Sequence, residues 1–121
     1  MLPQLKFNKK MFQALSEGKK TATRRKEPKD ICGGLYFSAV CTETGGSLIA
    51  KCKRTYTQKI SDMTGTDAVM EGFADLDLFK DEICDIYGKE YLDSDPTMWV
   101  CEFEIIGKPA QKSDNRPSDL D

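Results

Sequence analysis

Gly18-Lys19-Lys20-Thr21-Ala22-Thr23-Arg24-Arg25 is the stretch on which the reading of this chain turns. Gly18 sits where a helix-ending glycine belongs. From Thr21 to Arg25, β-branched residues recur at alternate positions, which reads as a short extended segment. In a continuous strand side chains alternate, so Lys20, Ala22 and Arg24 share one face and Thr21, Thr23 and Arg25 the other. Lys20 meets Thr23 only if the chain bends between Gly18 and Lys20 and the strand begins later. A neutral lysine beside a threonine hydroxyl can take its proton and make the oxygen a nucleophile. Without that bend, the stretch is a solvated basic face.

Upstream, Leu5 and Phe7 alternate with Lys6 as a short entry strand. Asn8 is a good N-cap for a helix over Lys9 to Glu17, with Met11, Phe12 and Leu15 on its apolar face. Downstream, Leu35 to Thr42 and Ser47 to Thr57 read as strands joined by a turn at Gly45-Gly46, a hairpin pattern by its turn residues. Residues 62–73 read as one or two short helical turns, with Ser61 or Thr66 as caps. Asp75 to Tyr87 is the clearest helix: Leu76, Phe79, Ile83 and Ile86 or Tyr87 mark one face, Asp75 caps it and Gly88 ends it. Trp99, Cys101, Phe103 and Ile105 alternate through a final half-buried strand. Residues 108–121 are polar and aperiodic and read as a disordered tail. The order strand, helix, strand, hairpin, helices, strand predicts an α+β domain over residues 1–107, or a small barrel with helices at its rim.

The chain has 121 residues, enough for one core. No apolar run approaches the roughly 20 residues that span a bilayer, and the first residues lack the apolar core of a signal peptide. These features predict a cytoplasmic protein without a membrane partner. There is no histidine, and five cysteines are present. Ser-His-Asp and Cys-His catalysis are therefore excluded. No two cysteines stand as Cys-x-x-Cys, so neither a zinc site nor any other metal or cofactor is expected. The cysteines read as reduced, mostly buried thiols. Acid–base work falls to Lys, Glu, Asp, Tyr, Cys or a terminus.

Net charge is −2, unevenly spread. Residues 1–29 carry nine Lys or Arg against two Glu, whereas residues 62–104 carry thirteen Asp or Glu against two Lys. That polarity implies either a basic surface for a phosphate-bearing partner or two halves that attract each other within the fold. Glu71 lies in the acidic half, between Ala68-Val69-Met70 and Gly72-Phe73, at the expected end of a helix. A carboxyl in that setting is either exposed or drawn inward, where it can donate a proton or pair with Lys20.

The segment from Gly18 to Arg25 resembles the Gly-x-Lys-Thr-x-Thr-x-Arg signature of the ASCH family. Glu71-Gly72-Phe73, the helix through Tyr87 and the strand from Trp99 to Ile106 resemble the later parts of its pattern, over about residues 4–107. The resemblance implies a small PUA-like mixed β-barrel with flanking helices. One branch of the family consists of small amidohydrolases that deacetylate N(4)-acetylcytidine without a metal. By position, that resemblance makes Lys20 the proton acceptor, Thr23 the nucleophile and Glu71 the proton donor. Arg24 and Arg25 are candidates for holding the pyrimidine carbonyl or pairing with Glu71. Tyr36, Phe73 and Trp99 are candidates for stacking the base at the barrel mouth, and amides near Thr21 to Thr23 for an oxyanion site. The expected partner is a modified cytidine nucleoside or other small molecule. The competing expectation is an RNA-binding module, or a ribonuclease, that uses Lys19 to Arg25 on phosphates. Gly33-Gly34 departs from the Gly-Asp step of many ASCH relatives.

Overall fold

Burial alternates along Gln4–Phe7, Tyr36–Cys41 and the first half of Ser47–Lys59, whereas Ala22–Arg25 and the first part of Thr97–Gly107 are buried on both faces. The computed structural model describes residues 2–109. Of the expected polar tail, residues 110–121 lie outside the described residues. In chain order the elements are β1 (Gln4–Phe7), α1 (Lys9–Ser16), β2 (Ala22–Arg25), β3 (Tyr36–Cys41) and β4 (Ser47–Lys59). A 3-10 turn (Ile60–Asp62), α2 (Gly65–Met70), α3 (Leu76–Tyr87), α4 (Lys89–Asp93) and β5 (Thr97–Gly107) follow. None of these helices is long and apolar enough to cross a membrane.

The five strands form one sheet in the order β1-β3-β4-β5-β2. The β1–β3 pair is parallel and the other pairs are antiparallel. The hairpin of β3 and β4 and the closing strand β5 are as the alternation predicts. Register shifts between Ile49 and Ala50 and between Cys52 and Arg54 interrupt the long β4–β5 ladder. Such bulges bend a strand and sharpen its twist. The sheet curls so far that its two edges come together: Arg25 Nη2 on β2 donates to the Lys6 carbonyl on β1 at 2.8 Å.

The curl stops short of the expected barrel. β1 and β2 are neighbours in space but share no ladder, so the sheet is open along one seam. Each of these strands has only four residues. That length gives little room for the stagger that barrel closure requires, and a side chain spans the seam instead.

Inside the curl lies the larger core, built on Leu5, Phe7, Leu15, Phe37, Trp99 and Phe103. The Phe37 ring meets Phe103 edge-on, with centroids 5.7 Å apart. On the outer face, Ile60, Met63, Ala68, Phe79, Ile83 and Met98 form a second core beneath α2 and α3. Strand β5 serves both: Trp99, Cys101 and Phe103 point inward, and Met98 outward to the helices. Trp99 is thus core, not the mouth-lining ring expected.

Local signals set the helix ends. Asn8 Oδ1 accepts from the Met11 amide, and Asp75 caps α3. The cap of α2 is Thr64, not Ser61 or Thr66, because Thr64 and Asp67 form a reciprocal capping box. Gly88 ends α3 with φ +96°, as expected, but the chain then re-enters a helix as α4. That short helix is held by Tyr91 against Tyr87, with ring centroids 4.8 Å apart.

Phe103 packs against the rings of Phe7 and Phe37 and is 1% exposed. Truncating a buried phenylalanine costs about 3–5 kcal/mol. Phe103→Ala should lower the urea midpoint by that amount of stability, with the slope of the transition unchanged.

Candidate functional site

The connection from α1 to β2 places the first two site residues. Gly18 takes φ +77°, a left-handed conformation that suits glycine. The amides of Lys19 and Lys20 then both donate to the Ala14 carbonyl. The bend expected before Lys20 is present, and β2 begins at Ala22.

Past the bend, alternation still governs the segment. Lys20 and Arg24 project to the helical face and Thr23 and Arg25 to the seam. The Lys20 Nζ lies 2.6 Å from Glu71 Oε1, and Arg24 Nη1 lies 2.8 Å from Glu71 Oε2. All three side chains are at least 96% buried. Arg24 Nη2 also reaches Asp67 at 3.3 Å and donates to Gln58 Oε1 at 2.5 Å. Two cations from the basic half meet two acids from the acidic half, so the buried cluster is balanced. Glu71 reaches it from the C-terminal end of α2, where Gly72 (φ +96°) turns the chain. A Cβ on Gly72 would sit 3.6 Å from Lys20 Cβ and from Ala14 Cβ, so the turn packs directly against the lysine.

On the seam side, Arg25 Nε donates to Thr23 Oγ1 at 3.1 Å. The Arg25 guanidinium lies 4.8 Å from the centre of the Phe7 ring. Burial pulls this guanidinium below its ordinary range, with Tyr87 and Glu71 opposing through their charge. Lys20 and Thr23 are therefore each hydrogen-bonded to a different partner. Both line one cavity of about 210 Å³, together with Arg24, Arg25, Glu71 and Phe73. Because β2 is an edge strand, a cavity on the open seam can touch both of its faces. The opposite wall is an apolar stripe of α3, Phe79, Ile83, Ile86 and Tyr87, with Met11 and Met98 beside it.

Of the residues singled out by sequence, Lys20, Thr23, Glu71, Arg24, Arg25 and Phe73 line this cavity, and among the described residues no hydrogen bond joins Lys20 to Thr23. Tyr36 does not line it. It is 45% exposed and sits beside Lys51, because the alternation of β3 sends Phe37, Ala39 and Cys41 inward instead. Asp67 and Gln58, which complete the Arg24 cage, were not anticipated. The capping-box spacing from Thr64 to Asp67 was the available signal for Asp67, and Gln58 had none. The expected amide oxyanion site is partly occupied, since the Thr21 amide donates to Met70 O at 2.7 Å.

A second cluster extends along the outer face. Glu102 accepts from Arg54 Nε and Nη2 and from the Tyr56 hydroxyl at 2.8 Å. The Arg54 bonds, above all, hold the Glu102 carboxyl below its usual range. Burial, then the bond to Glu102, pushes the Tyr56 phenol up to about 12. In the inner core, Cys52 and Cys101 lie with sulfurs 3.6 Å apart as free thiols, both pushed up by burial. Among the described residues, no three His, Cys, Asp or Glu side chains gather as a metal site.

The geometry can be set beside known proteins. No family model matches the sequence, and no curated protein matches it at a significant level. Solved structures do match. One is a protein from Enterococcus faecalis assigned to the family model DUF984, at TM-score 0.70 and 18% identity, covering 92% of this chain and 84% of that one. Another is an ASCH domain from Lactobacillus crispatus, at TM-score 0.68 and 12% identity, covering 80% and 70%. A variant of the ZmASCH protein from Zymomonas mobilis matches at TM-score 0.61 and 12% identity, covering 84% and 67%. The fold is thus ASCH-like, a mixed α+β architecture with an open five-stranded sheet.

Removing one member of a buried ion pair leaves its partner charged and unsatisfied, at a cost of about 3–5 kcal/mol. Glu71→Ala should lose that much stability in urea unfolding, and the double variant Lys20→Met/Glu71→Leu should recover part of it.

The folded protein keeps the Tyr56 proton where the unfolded chain, ionising near 10, has lost it. Stability should therefore fall as pH rises from 10 towards about 12. In an ultraviolet titration the tyrosinate signal that appears near 12 should be absent from Tyr56→Phe.

Proposed function

We propose that this protein is a metal-independent amidohydrolase that removes the acyl group from N(4)-acetylcytidine-type nucleosides. The observation that carries the reading is the 2.6 Å contact between Lys20 and Glu71 on a cavity that also holds Thr23. The shift of one proton along that contact turns ammonium and carboxylate into amine and carboxylic acid. Those are the two forms the reaction needs at once: a base for the Thr23 hydroxyl and an acid for the departing amine.

In the first half-reaction Thr23 Oγ1 attacks the acyl carbon, and its proton passes to Lys20 directly or through one water. The carbon–nitrogen bond then breaks, and Glu71 gives its proton to the cytosine amine. Lys20 and Glu71 are left as ammonium and carboxylate beside an acyl-threonine. In the second half, Glu71 takes a proton from the attacking water, and Lys20 returns one to the Thr23 oxygen as the acid leaves. Arg24 keeps the Glu71 carboxylate in place throughout.

The cavity volume fits the acylated base better than a whole nucleoside, since sites that enclose drug-sized ligands run from about 300 Å³ upward. Phe73 and the α3 stripe offer apolar walls for the base, and the sugar projects to solvent. In the competing reading Lys20 and Arg24 grip RNA phosphates. Their burial at 3% and 7% exposure weighs against that role.

The purified protein should convert N(4)-acetylcytidine to cytidine, followed by the loss of the acetylated chromophore in the ultraviolet. A folded sample that leaves the spectrum unchanged at high concentration would refute the reading. Lys20→Ala and Thr23→Ala should each lower kcat by at least about 10²-fold, the usual contribution of a positioned base. Persistent turnover in Lys20→Ala would leave the activity standing and remove Lys20 from it.

A further inference from the structure

Among the buried and half-buried cations on the cavity, Lys20 and Arg24 are matched by acids. Arg25 is not: no acidic side chain lies within ion-pair distance of it among the described residues. Its Nε is taken by Thr23 Oγ1 and its Nη2 by the Lys6 carbonyl. Phe7 covers one face of the guanidinium. Nη2 shares the Nε edge of the fork, and the Lys6 carbonyl takes only one of its two hydrogens.

A half-buried cation with neutral partners and an unused donor is costly to keep unless something negative completes it. The guanidinium is flat and rigid. With Nε–H on Thr23 Oγ1, the parallel N–H of Nη2 is aimed where a second oxygen sits on any carbon that bonds to Oγ1. Backbone amides are poorly placed to share this task, because those of Lys20 and Thr21 are given to Ala14 and Met70.

We propose that Arg25 is the oxyanion donor of the site, and that the same guanidinium seats the carboxylate of the released acid. The inference rests on the amidohydrolase reading for its first part and stands without it for the second. When the bond from Thr23 Oγ1 to the acyl carbon forms, the carbonyl π pair moves onto the carbonyl oxygen, and Nη2 donates its second hydrogen to that oxygen. Collapse returns the pair as the carbon–nitrogen bond breaks, with the amine protonated by Glu71. After hydrolysis the acid gives its proton to solvent, and the product carboxylate keeps its negative oxygen on Arg25 until it leaves.

The test has two arms. In the kinetic arm, Arg25→Gln and Arg25→Lys are compared with the wild type on N(4)-acetylcytidine. Loss of an oxyanion donor lowers kcat by about 10²–10³-fold, and KM should move by only a few-fold. A fall of less than tenfold in kcat for Arg25→Gln overturns the catalytic part. In the binding arm, acetate is titrated into ¹⁵N-labelled wild-type protein, and the Arg25 side-chain Nε–H signal is followed. A saturable shift is expected, with no such shift at the Arg24 signal. An unmoved Arg25 signal at the highest acetate that the folded protein tolerates overturns the carboxylate seat. This arm needs no variant to fold. If the wild type has no turnover, the amidohydrolase reading and the catalytic part fall together, and the acetate titration alone decides whether Arg25 is an anion receptor.

Discussion

A carboxylate gripped from two sides, Glu71 between Lys20 and Arg24, is the interaction on which the rest of the site depends. It joins the end of α2 to the start of β2 across 51 residues of chain. It takes up part of the charge polarity of the sequence: Lys20 and Arg24 of the basic first quarter meet Glu71 and Asp67 of the acidic half inside the molecule. An ion pair held that deep is weak as a source of net stability, since desolvation offsets most of the attraction. Its effect is positional. Each Glu71 oxygen has a fixed donor, so the lysine that meets it has a fixed place on the cavity wall.

The scaffold makes that arrangement possible by covering the sheet on both faces. The inner core fixes the curl, and the outer core fixes α2 and α3 against it. Strand β5 belongs to both cores, so β2, paired with it, is held at a defined height between them. An edge strand placed there presents one side chain of each pair to the charged cluster and the next to the seam. The cavity at its open edge gathers chemistry from both faces, which a strand in the middle of a sheet cannot offer.

Much of this was legible in the sequence wherever the signal was local. Asn8 and Asp75 as caps, Gly18 and Gly88 as stops, and the alternation through β3, β4 and β5 are set by neighbours in the chain. The two faces of β2 were legible for the same reason: Lys20 with Arg24, and Thr23 with Arg25. Non-local pairing was not. Nothing in Gln4–Phe7 marks it as a parallel partner of β3, and nothing in four-residue edges says whether a curl will close. Two of the three aromatic assignments missed for the same reason, while Phe73 lines the cavity. Tyr36 and Trp99 have the right ring chemistry, but which side of a strand faces a cavity depends on the register of its neighbours. Glu71 was marked by its place between apolar residues at a helix end, and the resemblance gave it a role, whereas Gln58 enters only because a long strand happens to carry it past Arg24.

The open seam has a mechanical consequence. A closed barrel can widen only by breaking ladder hydrogen bonds, several at a time. Here, among the described residues, the hydrogen bond between the two edges comes from one guanidinium that donates to a carbonyl and rests on a ring. Parting them by the thickness of a flat heterocycle sacrifices that single tether and leaves every backbone ladder intact. The seam is thus a line of built-in compliance, laid directly over the residues that would have to receive a guest.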